Sequence, residues 1–128
     1  MKERLKIFLC DFVHDYSGMG TFCFPLNIGY LSAYIKKYHE DDVDITLYKY
    51  PTPFLEKIKK DRPDLVGFSN YTWNQALNRL VAKNIKLINA NIVTVFGGPN
   101  FDTDEIGVQQ FFNHCGLIPR SSLRLLLV

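Results

Sequence analysis

Two short runs decide how this chain folds: Asp64-Leu-Val-Gly-Phe-Ser69 and Ile92-Val-Thr-Val-Phe96. Both are apolar at successive positions rather than at alternate ones, the pattern of a strand buried on both faces. Such strands belong in a parallel sheet with helices packed on either side. Each run also ends abruptly, in Ser69-Asn-Tyr-Thr72 and in Gly97-Gly-Pro-Asn100.

The chain between and around these runs alternates strand and helix signals. After the first run, Thr72 or Asn70 can cap a helix whose apolar stripe is Trp73, Ala76, Leu77, Leu80, Val81, Ile85 and Ile88. Upstream, Thr52-Pro53 opens a helix with Thr as cap and Pro in its first position; Phe54, Leu55 and Ile58 follow, and Pro63 stops it. Residues 43–48 alternate as a strand, with Val43, Ile45 and Leu47 on one face. From Pro25 onward, Tyr30, Leu31, Tyr34, Ile35 and Tyr38 recur at helical spacing, and the three tyrosines are expected in the core. Residues 5–12 supply the first strand, and residues 102–112 a fourth helix whose opening acids suit a helix N-terminus. Four strand–helix units joined by right-handed crossovers predict a doubly wound α/β sheet of the Rossmann or flavodoxin type, in three α/β/α layers. Residues 1–112 are expected to form this domain and residues 113–128 a tail. The last six residues of that tail read either as a fifth, edge strand or as an irregular, truncated end.

Composition agrees and narrows the function classes. The chain has 128 residues, of which 47% are hydrophobic and 22% charged, as expected of one packed domain. Its net charge of +2 gives no field that would attract nucleic acid or an anionic membrane surface. The basic N-terminus leads into Ile7-Phe-Leu-Cys10, but Asp11 ends that stretch too early for a secretory signal. No window is apolar enough to span a membrane, so a cytoplasmic protein is expected. Cys10, Cys23 and Cys115 include no Cys-x-x-Cys pair. That spacing argues against a disulfide framework, a zinc ribbon and a locally ligated iron–sulfur cluster.

In an open parallel sheet, ligands bind beyond the carboxyl ends of the strands. The unusual residues of this chain cluster there. The first strand runs into Asp11 to Cys23, longer than the roughly 2 to 6 residues usual for such a loop. The candidate site residues are Asp11, His14, Ser17 and Gly18 in this loop; Ser69, Tyr71 and Thr72 after the third strand; and Gly97, Gly98 and Pro99 after the fourth. Each has a plainer reading. His14 is either a solvated loop residue or a metal ligand, Ser69 either a helix cap or a ligand contact. Gly97-Gly98 either turns the chain or leaves room for a flat ligand. Lys57, Lys59 and Lys60 read as a solvated helix face.

Enzyme templates do not match. Gly18-Met-Gly20 lacks the third glycine of a dinucleotide fingerprint, there is no Walker loop, and Ser69 stands where a phosphoacceptor receiver would need aspartate. No Gly-x-Ser-x-Gly elbow is present, and His14, His39 and His114 have no evident nucleophile partner.

Three motifs in order carry a resemblance: Pro25-Leu-Asn-Ile-Gly-Tyr-Leu-Ser-Ala-Tyr34, Pro63-Asp-Leu-Val-Gly-Phe-Ser69 and Val95-Phe-Gly-Gly-Pro-Asn100. Together they resemble the cobalamin-binding domain that precedes a radical S-adenosylmethionine domain, over about residues 5–112. The resemblance implies a corrinoid lying over the carboxyl rim of the sheet, with its nucleotide tail in a groove. Ser69-Asn70-Tyr71 matches the family's Ser-x-Leu element, with Tyr in place of Leu, and Gly97-Gly98 matches its Gly-Gly element.

Family members that ligate cobalt carry Asp-x-His-x-x-Gly. Here Asp11, His14 and Gly18 stand with one extra residue in each gap. His14 is thus the candidate axial ligand and metal-binding residue, the alternative being a cobalt that no protein side chain holds. The three-cysteine motif of the radical domain does not occur in these residues. The resemblance therefore implies cobalamin as cofactor, no iron–sulfur cluster on this chain, no catalysis by it alone, and a separate or missing radical S-adenosylmethionine domain as partner. Nucleic acid and membrane are not expected partners. The competing expectation is a cofactor-free flavodoxin-like interaction or signalling domain.

Overall fold

A computed structural model describes residues 3–14, 24–100, 104–114 and 123–125. Its order is β1 (Leu5–Cys10), α1 (Leu26–His39), β2 (Val43–Tyr48), α2 (Pro51–Asp61), β3 (Leu65–Ser69), α3 (Gln75–Ile88), β4 (Val93–Gly97), α4 (Glu105–His114) and β5 (Leu123–Leu125). The strands form one parallel sheet in the order β2-β1-β3-β4-β5. The doubly wound α/β expectation is met, and three of the last six residues form an edge strand against β4.

Alternation along β1 places Phe8 and Cys10 on one face and Ile7 and Leu9 on the other. The first face packs against α2, α3 and α4 through Phe54, Ile58, Val81, Ala82, Ile85 and Phe111. The second packs against α1 through Ile28 and Ile35, together with Val43, Ile45 and Leu65. Helices thus lie on both faces, as three layers require.

Two helical stripes differ from expectation. On α1, Tyr30, Tyr34 and Tyr38 are 73%, 65% and 58% exposed rather than buried, and Ile28 and Ser32 face the sheet. Among the described residues, the core that α1 covers is aliphatic, from β1, β2 and the start of β3, and Ile28, Ser32 and Ile35 seat the helix on it. The tyrosines stay on the flank, where Tyr34 and Tyr38 rings lie 5.0 Å apart and Lys37 sits over Tyr38.

On α3, the inward row is Asn78, Val81, Ala82 and Ile85, whereas Ala76, Leu80 and Ile88 are exposed, as is Trp73 in the turn before the helix. Polar Asn78 takes an inward place because carbonyl groups at the end of β3 need donors, a demand that hydrophobic periodicity does not register. Neither Thr72 nor Asn70 caps this helix; Asn74 occupies the cap position. The second helix begins at Pro51, with Tyr50 rather than Thr52 at its cap, since Pro51 already supplies the helical φ. Leu47 shares its face with Val43 and Ile45 but remains exposed.

Candidate functional site

The carboxyl ends of β1, β3 and β4 meet at one rim. In the sheet register Ser69 lies beside Gly97, and Asn70 N–H donates to the Gly97 carbonyl at 2.6 Å. Where β3 stops, its last carbonyl is no longer served by a neighbouring strand. Asn74 and Asn78 take over: both side-chain amides donate to the Ser69 carbonyl, at 3.0 and 2.9 Å. Asn74 also donates to the Phe12 carbonyl, and its own oxygen accepts the Tyr71 N–H. Asn70 donates to the Asn100 carbonyl. Residues 70, 74 and 78 therefore form a buried ladder at one-turn spacing that ties the loop after β1, the end of β3 and the turn after β4 together. Among the described residues, the buried oxygen of Asn78 and the buried hydroxyl of Thr94 find no hydrogen-bond partner.

Above this ladder lie two hydroxyls. The side-chain amide of Asn27, at the start of α1, donates to Ser69 Oγ at 2.5 Å and to Tyr71 Oη at 3.2 Å. Its oxygen accepts the Ile28 N–H at 2.8 Å. Ser69 is buried and Tyr71 half-buried, and the Tyr71 ring stacks on Trp73 at 4.4 Å and nearly parallel. Trp73 is 60% exposed, so this end of the rim presents a broad aromatic ledge.

Gly98 has φ of 111°, a region that L side chains rarely adopt. A Cβ there would stand 2.7 Å from the Asn70 carbonyl oxygen. The bare α-carbon of Gly98 thus lets the β4 turn close on Asn70, and that space belongs to the protein's own backbone. Pro99 and Thr72 are exposed beside these turns.

A family model for the B12 binding domain matches residues 19–112. The chain belongs to the B12-binding domain family. Family membership supports cobalamin as the ligand of this B12-binding domain. Among solved structures it is similar to a novel cobalamin-binding protein from Desulfitobacterium hafniense DCB-2, with a TM-score of 0.59 and 16% identity. That match covers 94% of this chain and 53% of the other, so the B12-binding domain spans about half the length of that protein. No curated protein matches the sequence significantly.

On the β1 side of the B12-binding domain, residues 11–14 are pinned at several points. Asp11 N–H and Val13 N–H donate to the Tyr48 and Lys49 carbonyls, and the Phe12 ring is buried between Phe54 and Phe68. His14 is exposed, and its Nε2 lies 3.1 Å from the Trp73 carbonyl. A carbonyl only accepts, so this contact places a proton on Nε2. Coordination of a metal through Nε2 would require that bond to break. Among the described residues, no group of three or more His, Cys, Asp or Glu is placed to hold a metal ion.

Burial raises the Asp11 carboxyl above its ordinary range, an effect that Lys49 partly offsets. Burial, reinforced by the charge of Asp11, also pushes the Cys10 thiol well up, which keeps it an inert core side chain.

The expected residues thus fall into two groups on one rim: Ser69, Tyr71, Thr72, Gly97, Gly98 and Pro99 at β3 and β4, and Asp11 and His14 at β1. The contact of His14 with the Trp73 carbonyl links the two. Ser17 and Gly18 lie outside the described residues, as do Cys23 and Cys115. Sequence reasoning missed Asn27, Asn74 and Asn78. The recurrence of asparagine at 70, 74 and 78 was a usable signal for the last two. Among the described residues, no helix is long and apolar enough to cross a membrane.

Proposed function

We propose that this chain is a cobalamin-binding module that serves a cobalamin-dependent radical S-adenosylmethionine enzyme and is not catalytic alone. The observation that carries the binding reading is the pair of hydroxyls at Ser69 and Tyr71. Both accept from Asn27, so both have a proton to donate at the rim. Within the family-matched segment these donors and the Tyr71–Trp73 ledge fit a large, flat, acceptor-rich cofactor. Cobalamin would supply a cobalt centre able to carry a methyl group; the residues here bind and orient it. The association with radical chemistry is drawn from the three motifs quoted above.

In this reading His14 anchors the loop after β1 to the start of α3, and the protein leaves the cobalt without a side-chain ligand. The engaged Nε2 and the altered loop spacing support this. The binding test is direct. Hydroxocobalamin mixed with the protein and passed through gel filtration should leave its visible absorbance on the protein peak; a colourless peak overturns the reading. His14→Ala should leave the visible spectrum of bound cobalamin unchanged, and a changed spectrum would restore His14 as ligand.

A further inference from the structure

Asn27 is the one described residue that touches both hydroxyls of the rim, and its amide has a fixed orientation. Its oxygen is held by the Ile28 N–H, so the two N–H bonds of Nδ2 point the other way, one to Ser69 Oγ and one to Tyr71 Oη. An amide nitrogen has no lone pair to offer, so neither hydroxyl can donate back to it. Each must send its own proton elsewhere.

We infer that Asn27 is the positioning residue of this site: it occupies an acceptor position on both Ser69 and Tyr71 and cannot take their protons, so the pair favours a hydrogen-bond acceptor on the ligand over a donor. The inference rests on the cobalamin reading above, takes from that resemblance the nucleotide arm at this rim, and adds only the residue that orients its partners. The acceptor to be tested is then an unprotonated ring nitrogen or a phosphate oxygen of that arm. Because Asn27 lies in the first turn of α1 and its oxygen accepts the Ile28 N–H, the polarity of the pair is tied to the seating of that helix.

Asn27→Asp separates this role from a structural one. The carboxylate keeps the bond to Ile28 N–H, at a helix N-terminus that favours negative charge, so the fold should be as stable as before. Both of its oxygens accept, however, so Ser69 and Tyr71 would turn their protons inward onto it. Cobalamin affinity should fall about 10- to 100-fold with an unchanged melting temperature. Asn27→Asp should add no further loss in a Ser69→Ala/Tyr71→Phe background. Wild-type affinity in Asn27→Asp, or an undiminished loss in that background, overturns the inference.

Cobinamide, which lacks the nucleotide arm, should bind wild type and Asn27→Asp equally; a penalty as large as with cobalamin overturns the inference. Cobinamide phosphate distinguishes the two acceptors, because it keeps the penalty for a phosphate oxygen and loses it for a ring nitrogen. A test without cofactor separates the inference from the binding reading. In the cofactor-free protein, the Asn27 side-chain amide protons should exchange slowly and shift on Ser69→Ala and on Tyr71→Phe. Amide signals insensitive to both substitutions overturn the inference whatever cobalamin does. The expected signals with a colourless wild-type protein instead overturn cobalamin as the ligand.

Discussion

The two faces of the sheet are built to different standards. On the face covered by α2, α3 and α4, the core includes Phe8, Phe12, Tyr48, Phe54, Phe68, Phe96 and Phe111. Phe54 alone meets the rings of Phe8, Phe12 and Tyr48 at 6.1, 5.3 and 5.3 Å. Among the described residues, the hydrophobic core of the face under α1 is aliphatic: Ile7, Leu9, Ile28, Val43 and Ile45, with Ile35 and Leu65 at its margin. Aromatic burial gives the first face the greater share of stability. The second face nevertheless carries Asn27, which orders the rim. Cohesion and recognition are thus divided between opposite sides of one sheet.

Substitutions can break or sharpen that contrast. Phe54→Ala removes the hub of the aromatic core and should cost about 3–5 kcal/mol in chemical denaturation. Gly98→Ala combines a strained φ with a collision against the Asn70 carbonyl, and should cost about 2–3 kcal/mol while weakening any ligand of the rim. Ile58→Val should cost about 1 kcal/mol and Ile28→Val less, within the usual range of about 0.5–1.5 kcal/mol for this change. Equal losses at the two positions would show that the faces do not differ.

The smallest effect is expected at Asp11. Burial raises its folded-state pKa, so the protonated form favours folding. That contribution is present below the unfolded value of about 3.9 and is lost as pH rises through the raised folded value. Near neutrality the ionised carboxylate is a mild cost. Asp11→Asn should then stabilise the protein by no more than about 0.5 kcal/mol, because the group is half-exposed and Lys49 offsets its burial. Melting temperatures of the two proteins should converge as pH falls towards 4.

The order of elements was legible because continuous apolar runs mark parallel strands, as residues 64–69 and 92–96 did, although β3 is buried on both faces and β4 only half-buried on one. The faces of two helices were not. Tyr30, Tyr34 and Tyr38 have the spacing of a core stripe, but periodicity cannot say which flank of α1 rests on the sheet. Trp73 belongs to a turn that places it on the rim, a position set by the asparagine ladder rather than by its hydrophobicity. At the site, strand ends located Ser69, Tyr71 and the glycines. Asn27 stayed hidden because its partner Ser69 lies 42 residues away, and Asn74 because it serves a carbonyl 62 residues earlier.

The position of β1 has a consequence for how the chain reaches this structure. It precedes the other strands of this sheet in the chain and is an inner one, flanked by β2 and β3. Its inner ladder begins with Ile7 beside Leu65, and the neighbouring Lys6–Asp64 contact spans 58 residues. No local hairpin can stand in for that pairing, since parallel neighbours need an intervening crossover. Refolding should therefore be slower than for an all-helical chain of this length, with β1 held open until β3 arrives.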